Sequence, residues 1–236
     1  MKGLGMPLVA VVVVATAAAL GALVATELPA GCLGKVLRPS EEAVLVDCNT
    51  TKGEVTLALG PSWAPLGVAR YLELVNAGVF TNLPLFRCVQ DFLCQYGYSP
   101  NPEWDAKFPN IQDDPPQAKL KRFHRGYISY AGSGRNSRSM HAFVTLGAHV
   151  ESLGREPWET PIGFVTPESM QVVAKWETGY GDMSPFGPGP DPHKIRMEGE
   201  KYLRGKFPKL DYWTGCAVRP TTPLSLPDPT SSKSDL

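Results

Sequence analysis

The chain has 236 residues, of which 43% are hydrophobic and 19% are charged, a composition typical of a globular domain with a substantial core. Its 23 basic and 23 acidic residues cancel, so there is no basic excess to neutralise phosphates, and we expect no nucleic-acid partner. The 23 glycines and 23 prolines favour a fold rich in turns and exclude a simple helical bundle.

The N-terminal segment predicts entry into the secretory pathway. An apolar run over residues 8–25 follows Lys2, and at helical rise it would span roughly 27 Å, close to the thickness of a hydrocarbon core. We predict an uncleaved signal anchor over residues 1–26 that acts as a single membrane helix, followed by a tether over residues 27–36. A cleaved signal peptide is the alternative, although Leu23 disrupts the small-residue pattern of a cleavage site.

This assignment places the following domain on the lumenal side of a membrane, or free in the lumen or medium if the segment is cleaved. The sequon Asn49-Thr50-Thr51 agrees with export and predicts glycosylation at Asn49.

Residues 37–218 form one predicted domain. Strands are expected over Ala43–Asp47 and Glu54–Leu59, and a helix over Ala64–Ala77, with Pro65 in its first turn and Gly78 at its C-terminal cap. Short strands then follow between polar or Gly/Pro interruptions: Leu85–Val89, Phe92–Tyr96, Gly126–Tyr130, Ala142–Thr145 and Ile162–Val165.

The last part of the domain holds a second predicted helix, Pro167–Trp176, and a Gly/Pro-rich surface loop over 179–192. Short strands with few helices predict a mainly β fold, a closed antiparallel eight-stranded barrel with two capping helices. The Pro/Ser-rich tail over 219–236 is predicted to be disordered.

The five cysteines contain no Cys-x-x-Cys pair, and the four histidines lack metal-ligand spacing. We therefore expect neither a metal site nor a cofactor.

Two segments carry polar or small residues on predicted strands, where a buried core would have apolar ones. In residues 86–97, Arg87 and Gln95 lie on two adjacent predicted strands, with Phe92 just past the turn, and a hairpin would bring these side chains together. In residues 125–136, a predicted strand gives way to small residues that permit close approach of another backbone. These small residues are Ala131, Gly132, Ser133 and Gly134.

Both segments resemble the cyclophilin family of peptidyl-prolyl cis/trans isomerases. The family's Phe-x-Arg block and the following Phe-x-x-Gln-x-Gly read here Leu85-Phe86-Arg87 and Phe92-Leu93-Cys94-Gln95-Tyr96-Gly97. The Gly-x-x-Ser-x-Ala strand with its small-residue loop is matched by Gly126, Ser129, Ala131, Gly134 and Asn136. Further ordered matches are Trp63-Ala64-Pro65, Phe143, Glu198-Gly199 and Phe207–Tyr212, so the resemblance runs from Val44 to Val218.

The resemblance implies a barrel fold and isomerisation of X-Pro bonds in proline-containing polypeptides. Arg87 would donate to the prolyl nitrogen of the twisted amide, and Gln95 would bind the substrate backbone together with main-chain groups of Ala131, Gly132 and Ser133. The proline ring would enter an apolar slot formed by Phe92, Leu93, Phe143 and Ile162. No nucleophile, metal or proton shuttle is needed, because the enzyme has only to bind the twisted amide better than either planar form.

Several positions depart from the family pattern. Gly132 stands where the family usually has Asn, and His141 where it has Gln, a substrate-facing position. Ala142 and Ile162 each stand where it has Phe. These changes predict weakened rather than abolished activity, an altered sequence preference, and weakened affinity for a cyclosporin-type ligand.

Two other functions stay open. The domain could be a proline-peptide binding module that has lost catalysis, which the changes at His141 and Ile162 favour. It could also be a membrane-tethered adaptor whose Pro-rich tail makes the contacts. Retention of Arg87, Phe92 and Gln95 together favours the isomerase.

The resemblance also implies that Cys48, at the end of the first strand, lies beside Cys216 in the last. A disulfide between them is expected in an oxidising lumen, with α-carbons about 4.4–6.8 Å apart. Two small buried thiols are the alternative.

Overall fold

The structure is a computed structural model that describes residues 43–117, 120 and 122–220. The predicted signal anchor over 1–26, the tether over 27–36 and most of the predicted tail, residues 221–236, lie outside the described residues. Within the part of the chain that the structure describes, none of the helices combines the length and hydropathy of a membrane span.

The described residues form eleven β-strands, all paired antiparallel. Nine of them make one sheet in the order β3-β11-β1-β2-β10-β7-β8-β5-β4, and β6 pairs with β9. Their bounds are β1 Val44–Thr50, β2 Gly53–Leu59, β3 Leu83–Pro84, β4 Arg87–Val89, β5 Leu93–Tyr96, β6 Phe123–His124, β7 Tyr127–Tyr130, β8 Ala142–Thr145, β9 His149–Val150, β10 Gly163–Val165 and β11 Tyr212–Val218.

The main sheet curls, because its two edge strands are consecutive in the chain. β3 ends at Pro84 and β4 begins at Arg87, so two residues carry the chain from one edge to the other. No ladder joins β3 to β4 among the described residues, and closure of the predicted eight-stranded barrel is not confirmed. The strand predicted over Leu85–Val89 is shorter than expected, because Leu85 instead donates its N–H to Asp211 (2.9 Å) beside β11.

The first predicted helix is confirmed as α1, Pro65–Asn76, which buries Val68, Tyr71 and Leu74. The Tyr71 hydroxyl hydrogen-bonds that of Tyr96 on β5 (2.9 Å), so the buried face of α1 contacts the interior of the curled sheet.

The second predicted helix, Pro167–Trp176, is only partly formed. A 3-10 turn over Pro167–Ser169 leads into a single turn of α-helix, α3, Met170–Val173. The N–H groups of Lys175 and Trp176 donate three residues back, to Val172 and Val173, so the end of the segment tightens and the α-helix stops early.

Two helices were not predicted: the short α2, Glu103–Lys107, and α4, Pro192–Lys206. Asp191 caps α4 by accepting from the N–H of His193 (2.8 Å), and Gly199, with φ of 58°, divides the helix into two pieces. The prediction of only two helices in the domain was therefore wrong. Helix α4 was missed because each of its pieces is too short to show a sustained apolar period.

Helix α4 supplies two buried residues to a hydrophobic cluster beside β4. The buried members are Phe86, Ile195, Leu203, Phe207, Leu210 and Tyr212. Tyr180 and Met183 of the predicted Gly/Pro-rich loop, which ends where α4 begins at Pro192, pack against this cluster, and Gly181 forms a backbone bridge to Cys88. The segment is therefore held against the edge of the sheet.

Two cysteine pairs face each other across paired strands. Cys48 on β1 and Cys216 on β11 are opposite in register, with sulfur atoms 2.07 Å apart and α-carbons 4.0 Å apart, slightly below the predicted range. Cys88 on β4 and Cys94 on β5 form a second disulfide that the sequence did not suggest. The fifth cysteine, Cys32, lies outside the described residues.

Candidate active site

The hairpin of β4 and β5 places Arg87 directly opposite Gln95. Asp91 adopts a positive φ of 57° in the turn, and the N–H of Phe92 donates to the carbonyl of Val89 (3.1 Å), which closes it. Across the two strands, Arg87 Nη1 donates to Gln95 Oε1 at 3.0 Å. The structure thus brings together the two residues that the sequence pattern singled out.

The same face of the sheet carries the predicted apolar residues. Gln95 lies opposite Phe143 on β8, so Arg87, Gln95 and Phe143 form one row across three strands. Leu93 lies two residues from Gln95 and therefore on the same face. The ring of Phe92 lies beside this row, with its centroid 5.8 Å from the Arg87 guanidinium carbon.

The guanidinium of Arg87 is bound on a second side by Asp182. Arg87 Nε donates to Asp182 Oδ1 (2.7 Å), and Nη2 donates to Oδ2 (3.1 Å), a bidentate pair. The Arg87 side chain is 19% exposed and that of Asp182 is 31% exposed, so the pair lies at the surface but is partly shielded. Of the five N–H donors of arginine, three are used by Asp182 and Gln95, which leaves two.

Two residues of the predicted apolar slot are almost fully buried. Phe143 is only 3% exposed, and its ring lies 5.9 Å from that of Phe123, which is fully buried on β6. Leu93 is likewise 3% exposed. Phe123 thus packs against a residue of the predicted proline slot, a contact that no local pattern in the sequence predicts.

The loop over residues 131–141 lies at the end of β7 and β8. The N–H of Ala131 donates to the carbonyl of His141 (2.9 Å), which extends the β7–β8 pairing, and the N–H of Ser133 donates to Ser137 Oγ (2.8 Å). A β-carbon on Gly132 would stand 2.6 Å from Cδ1 of Trp158. Only glycine therefore fits beneath this indole ring.

The contacts of His141 are with side chains that were not predicted to belong to the site. Its ring centroid lies 4.3 Å from that of Tyr98, and Nδ1 is 3.3 Å from the Ser139 hydroxyl. Burial, together with the nearby charge of Arg196, lowers the pKa of His141 to about 4, and Asp105 opposes the change.

Ile162 does not join the slot, and this expectation is corrected. Its side chain is fully buried, and Cγ2 lies within 2.7 Å of where a β-carbon on Gly67 would stand. The residue just before β10 therefore packs under the first turn of α1, beside Arg138 and Asp114.

Comparison with known proteins identifies the family. The family model described as "Cyclophilin type peptidyl-prolyl cis-trans isomerase/CLD" matches residues 45–196. The chain belongs to the cyclophilin family.

Curated relatives resemble the chain at modest identity. Peptidyl-prolyl cis-trans isomerase cypE of Dictyostelium discoideum is 30% identical over 104 residues, which is 43% of this chain and 67% of that protein. Peptidyl-prolyl isomerase CWC27 of Mycosarcoma maydis is 29% identical over 139 residues, which is 57% of this chain but only 28% of that protein. The similarity to CWC27 thus concerns a domain of a longer chain.

Solved structures agree on the fold. A cyclophilin-type peptidyl-prolyl cis-trans isomerase of Cryptosporidium parvum superposes with a TM-score of 0.54, covering 76% of this chain and 99% of that one at 16% identity. A structure of it obtained in the presence of the dipeptide Ala-Pro gives a TM-score of 0.53. At this identity the likeness concerns the fold alone.

The structure places the β4–β5 hairpin beside Phe143, as the cyclophilin pattern predicts. It places Ile162 elsewhere, against α1. Two residues that contact the site, Asp182 and Phe123, were not predicted from the sequence. Asp182 is 95 residues from Arg87 in the chain, and an acidic residue in a Gly/Pro-rich loop carries no signal of its partner.

Proposed function

We propose that this cyclophilin catalyses cis/trans isomerisation of X-Pro bonds in polypeptides of the secretory pathway. The observation that carries the proposal is the Arg87–Gln95 pair on the same sheet face as Phe143, with Phe92 alongside. The Cryptosporidium relative, studied in the presence of Ala-Pro, supports a proline-containing ligand for this fold.

The chemistry follows from the nature of the amide bond. Resonance opposes rotation about the C–N bond by roughly 18–20 kcal/mol, and this resonance is lost in the twisted state. In that state the prolyl nitrogen regains a lone pair that can accept a hydrogen bond. The unused N–H groups of Arg87 can donate to it, and since arginine stays protonated, this donor is available at any physiological pH.

The neighbouring residues would hold the substrate in register. The side-chain oxygen of Gln95 accepts from Arg87 and orients the guanidinium. The NH2 group of the same amide can donate to a substrate carbonyl. Phe92, Leu93 and Phe143 would receive the proline ring, which requires some outward movement of side chains because Phe143 is nearly buried.

The test is isomerisation of a short X-Pro peptide by the full-length protein, followed without a coupled protease. Arg87→Ala is expected to lower kcat/KM at least tenfold, which corresponds to a loss of about 1.4 kcal/mol of transition-state stabilisation. Arg125→Ala, an exposed arginine outside the site, is the matched control and is expected to leave the rate unchanged. Equal rates for Arg87→Ala and the unaltered protein would show that Arg87 is not the catalyst.

A proline-peptide binding module is the second candidate function. The packing of Phe143 against Phe123 favours it, because a side chain held in place by this contact would hinder rotation of a bound proline more than it would hinder backbone hydrogen bonds to Arg87 and Gln95. Peptide binding with no exchange between the isomers of the bound peptide would support this alternative.

We further propose that residues 1–26 anchor the protein in a membrane of the secretory pathway, with the domain on the lumenal side. The apolar run over residues 8–25 and the exposure of Asn49 on β1 support this topology. Carbonate extraction of protein made in its own host is expected to leave it in the membrane fraction with an intact N-terminus, and an endoglycosidase is expected to remove a glycan from Asn49. Soluble protein that begins at or after Thr26 would instead indicate a cleaved signal.

A further inference from the structure

The contact between Asp182 and Arg87 joins the candidate catalytic arginine to a loop with no assigned role. Asp182 accepts from Nε and Nη2, while Gln95 accepts from Nη1, so the guanidinium is bound along two sides. Arginine has several rotatable bonds, and without partners its planar head samples many positions. Two acceptors, one on β5 and one in the Gly/Pro-rich loop, hold it in one orientation.

The loop is folded around Asp182. The carboxylate accepts from the N–H of Met183 (2.7 Å), and the carbonyl of Asp182 accepts from the N–H of Gly189 (2.8 Å). A β-carbon on Gly187 or on Gly189 would stand 2.6 Å from that carbonyl oxygen. Two of the glycines in this segment therefore allow the backbone to close tightly about the acidic residue.

Packing fixes the residues on either side of Asp182 as well. The ring of Tyr180 lies 5.1 Å from that of Phe207, and its hydroxyl accepts from the N–H of Lys209 (3.2 Å). Met183 packs against the same hydrophobic cluster. The carboxylate is thus presented to Arg87 by a well-anchored loop, in contrast to an ordinary ion pair between two freely moving surface side chains.

We propose that Asp182 is a positioning residue for Arg87 in the isomerase reaction, an inference that rests on the proposed function. Its bidentate contact occupies one edge of the guanidinium and leaves two N–H groups, so it aims the remaining donors at the substrate without consuming them all. The Gly/Pro-rich segment thereby acts as a third support of the active site, beside the hairpin and β8.

An inhibitory role is the alternative that the experiment tests, because a carboxylate also weakens the positive field of the guanidinium. The two effects have opposite signs. Removing a positioning residue lowers the rate, whereas removing an inhibitory one raises it.

The experiment compares Asp182→Ala and Asp182→Asn in the full-length protein with an X-Pro peptide. We expect Asp182→Ala to lower kcat/KM about five- to tenfold, mainly through kcat, because substrate contacts in the ground state are kept. The asparagine of Asp182→Asn has the same shape as aspartate and keeps one acceptor oxygen. Its kcat/KM is therefore expected to lie between those of Asp182→Ala and the unaltered protein. Glu198→Ala on α4, an exposed acidic residue, is the matched control and is expected to have no effect.

Two readouts separate positioning from a merely structural role. In an Arg87→Ala background, Asp182→Ala is expected to cause no further loss, because no guanidinium is left to orient. In NMR spectra, the Arg87 Nε–H is expected to exchange slowly with water in the unaltered protein and rapidly in Asp182→Ala, while the urea midpoint of Asp182→Asn stays unchanged.

The inference is overturned if Asp182→Ala and Asp182→Asn isomerise as fast as the unaltered protein, or faster. If Arg87→Ala lowers the rate and the Asp182 variants do not, only this inference fails. If Arg87→Ala itself has no effect, the proposed function fails and Asp182 has no catalytic group to position.

Discussion

Arg87 and His141 illustrate how single side chains near the substrate face differ in their surroundings. Arg87 meets a carboxylate and an amide oxygen, so its charge is matched. His141 is largely buried against Tyr98, and its Nε2 atom has no hydrogen-bond partner among the described residues. Burial opposes protonation, and the pKa of His141 falls to about 4.

The lowered pKa of His141 predicts a loss of stability in mild acid. An unfolded histidine has a pKa of about 6.5, so between pH 6.5 and about 4 the unfolded chain binds more protons than the folded one. The free energy of unfolding therefore falls as the pH drops through this window, and His141 should contribute roughly 2 kcal/mol to the loss between pH 7 and pH 5. Urea unfolding at both pH values measures it.

His141→Gln removes the titrating group and is expected to flatten this pH dependence. His193→Gln, at an exposed position on α4, is the control and should keep the dependence of the unaltered protein. A His141→Gln variant that loses as much stability in acid as the control would contradict the assignment.

Helix α1 shows how an element can depend on a distant residue. No side chain caps its N-terminus locally. Instead, Asp114 accepts from the N–H groups of Leu66 (2.8 Å) and Gly67 (2.9 Å), and the fully buried Arg138 donates to the same carboxylate (2.7 Å). Arg138 also donates to the carbonyl of Gln112. The buried ion pair of Asp114 and Arg138 thus joins three parts of the chain: α1, the segment that holds Asp114, and the loop that leads to β8.

Removing one partner of this pair is expected to destabilise the domain strongly. Asp114→Ala leaves a buried guanidinium and two helix N–H groups without their acceptor, and about 3–5 kcal/mol of unfolding free energy should be lost. Asp113→Ala is the matched control, since Asp113 lies 3.5 Å from Arg138 Nε and accepts no close bond from α1. Its effect in urea unfolding should be clearly smaller. Similar losses for the two variants would show that α1 does not depend on Asp114.

At the scale of the whole molecule, the Cys48–Cys216 disulfide links the first and last strands of the sheet. It joins residues 168 positions apart, whereas Cys88–Cys94 joins residues only 6 apart. A cross-link restricts the unfolded chain more when it closes a longer loop.

The long-range disulfide is therefore expected to stabilise the fold more than the short one. Cys48→Ala with Cys216→Ala should lower the free energy of unfolding by about 2–5 kcal/mol under oxidising conditions, and Cys88→Ala with Cys94→Ala should lower it by less. Under a strong reductant the first variant and the unaltered protein should converge. Equal losses for the two double variants would show that loop length does not govern the stabilisation.

The sequence by itself determined the features that depend on residues close together in the chain. The hairpin that places Arg87 beside Gln95 needs a separation of only eight residues and a short turn, and α1 follows from Pro65, Gly78 and an apolar period between them. The family pattern added the row that ends at Phe143, because ordered blocks fix which strands become neighbours.

Only the tertiary structure decided the features that depend on distant segments meeting. Ile162 was assigned to the slot, but its side chain packs on Gly67 of α1, because a residue at the start of a strand can turn to either face. Helix α4 was missed because Gly199 divides it into pieces too short for a periodic signal. The partner of Arg87 is Asp182, 95 residues away, and no local preference of either residue specifies an ion pair that forms only when the loop folds onto the sheet edge.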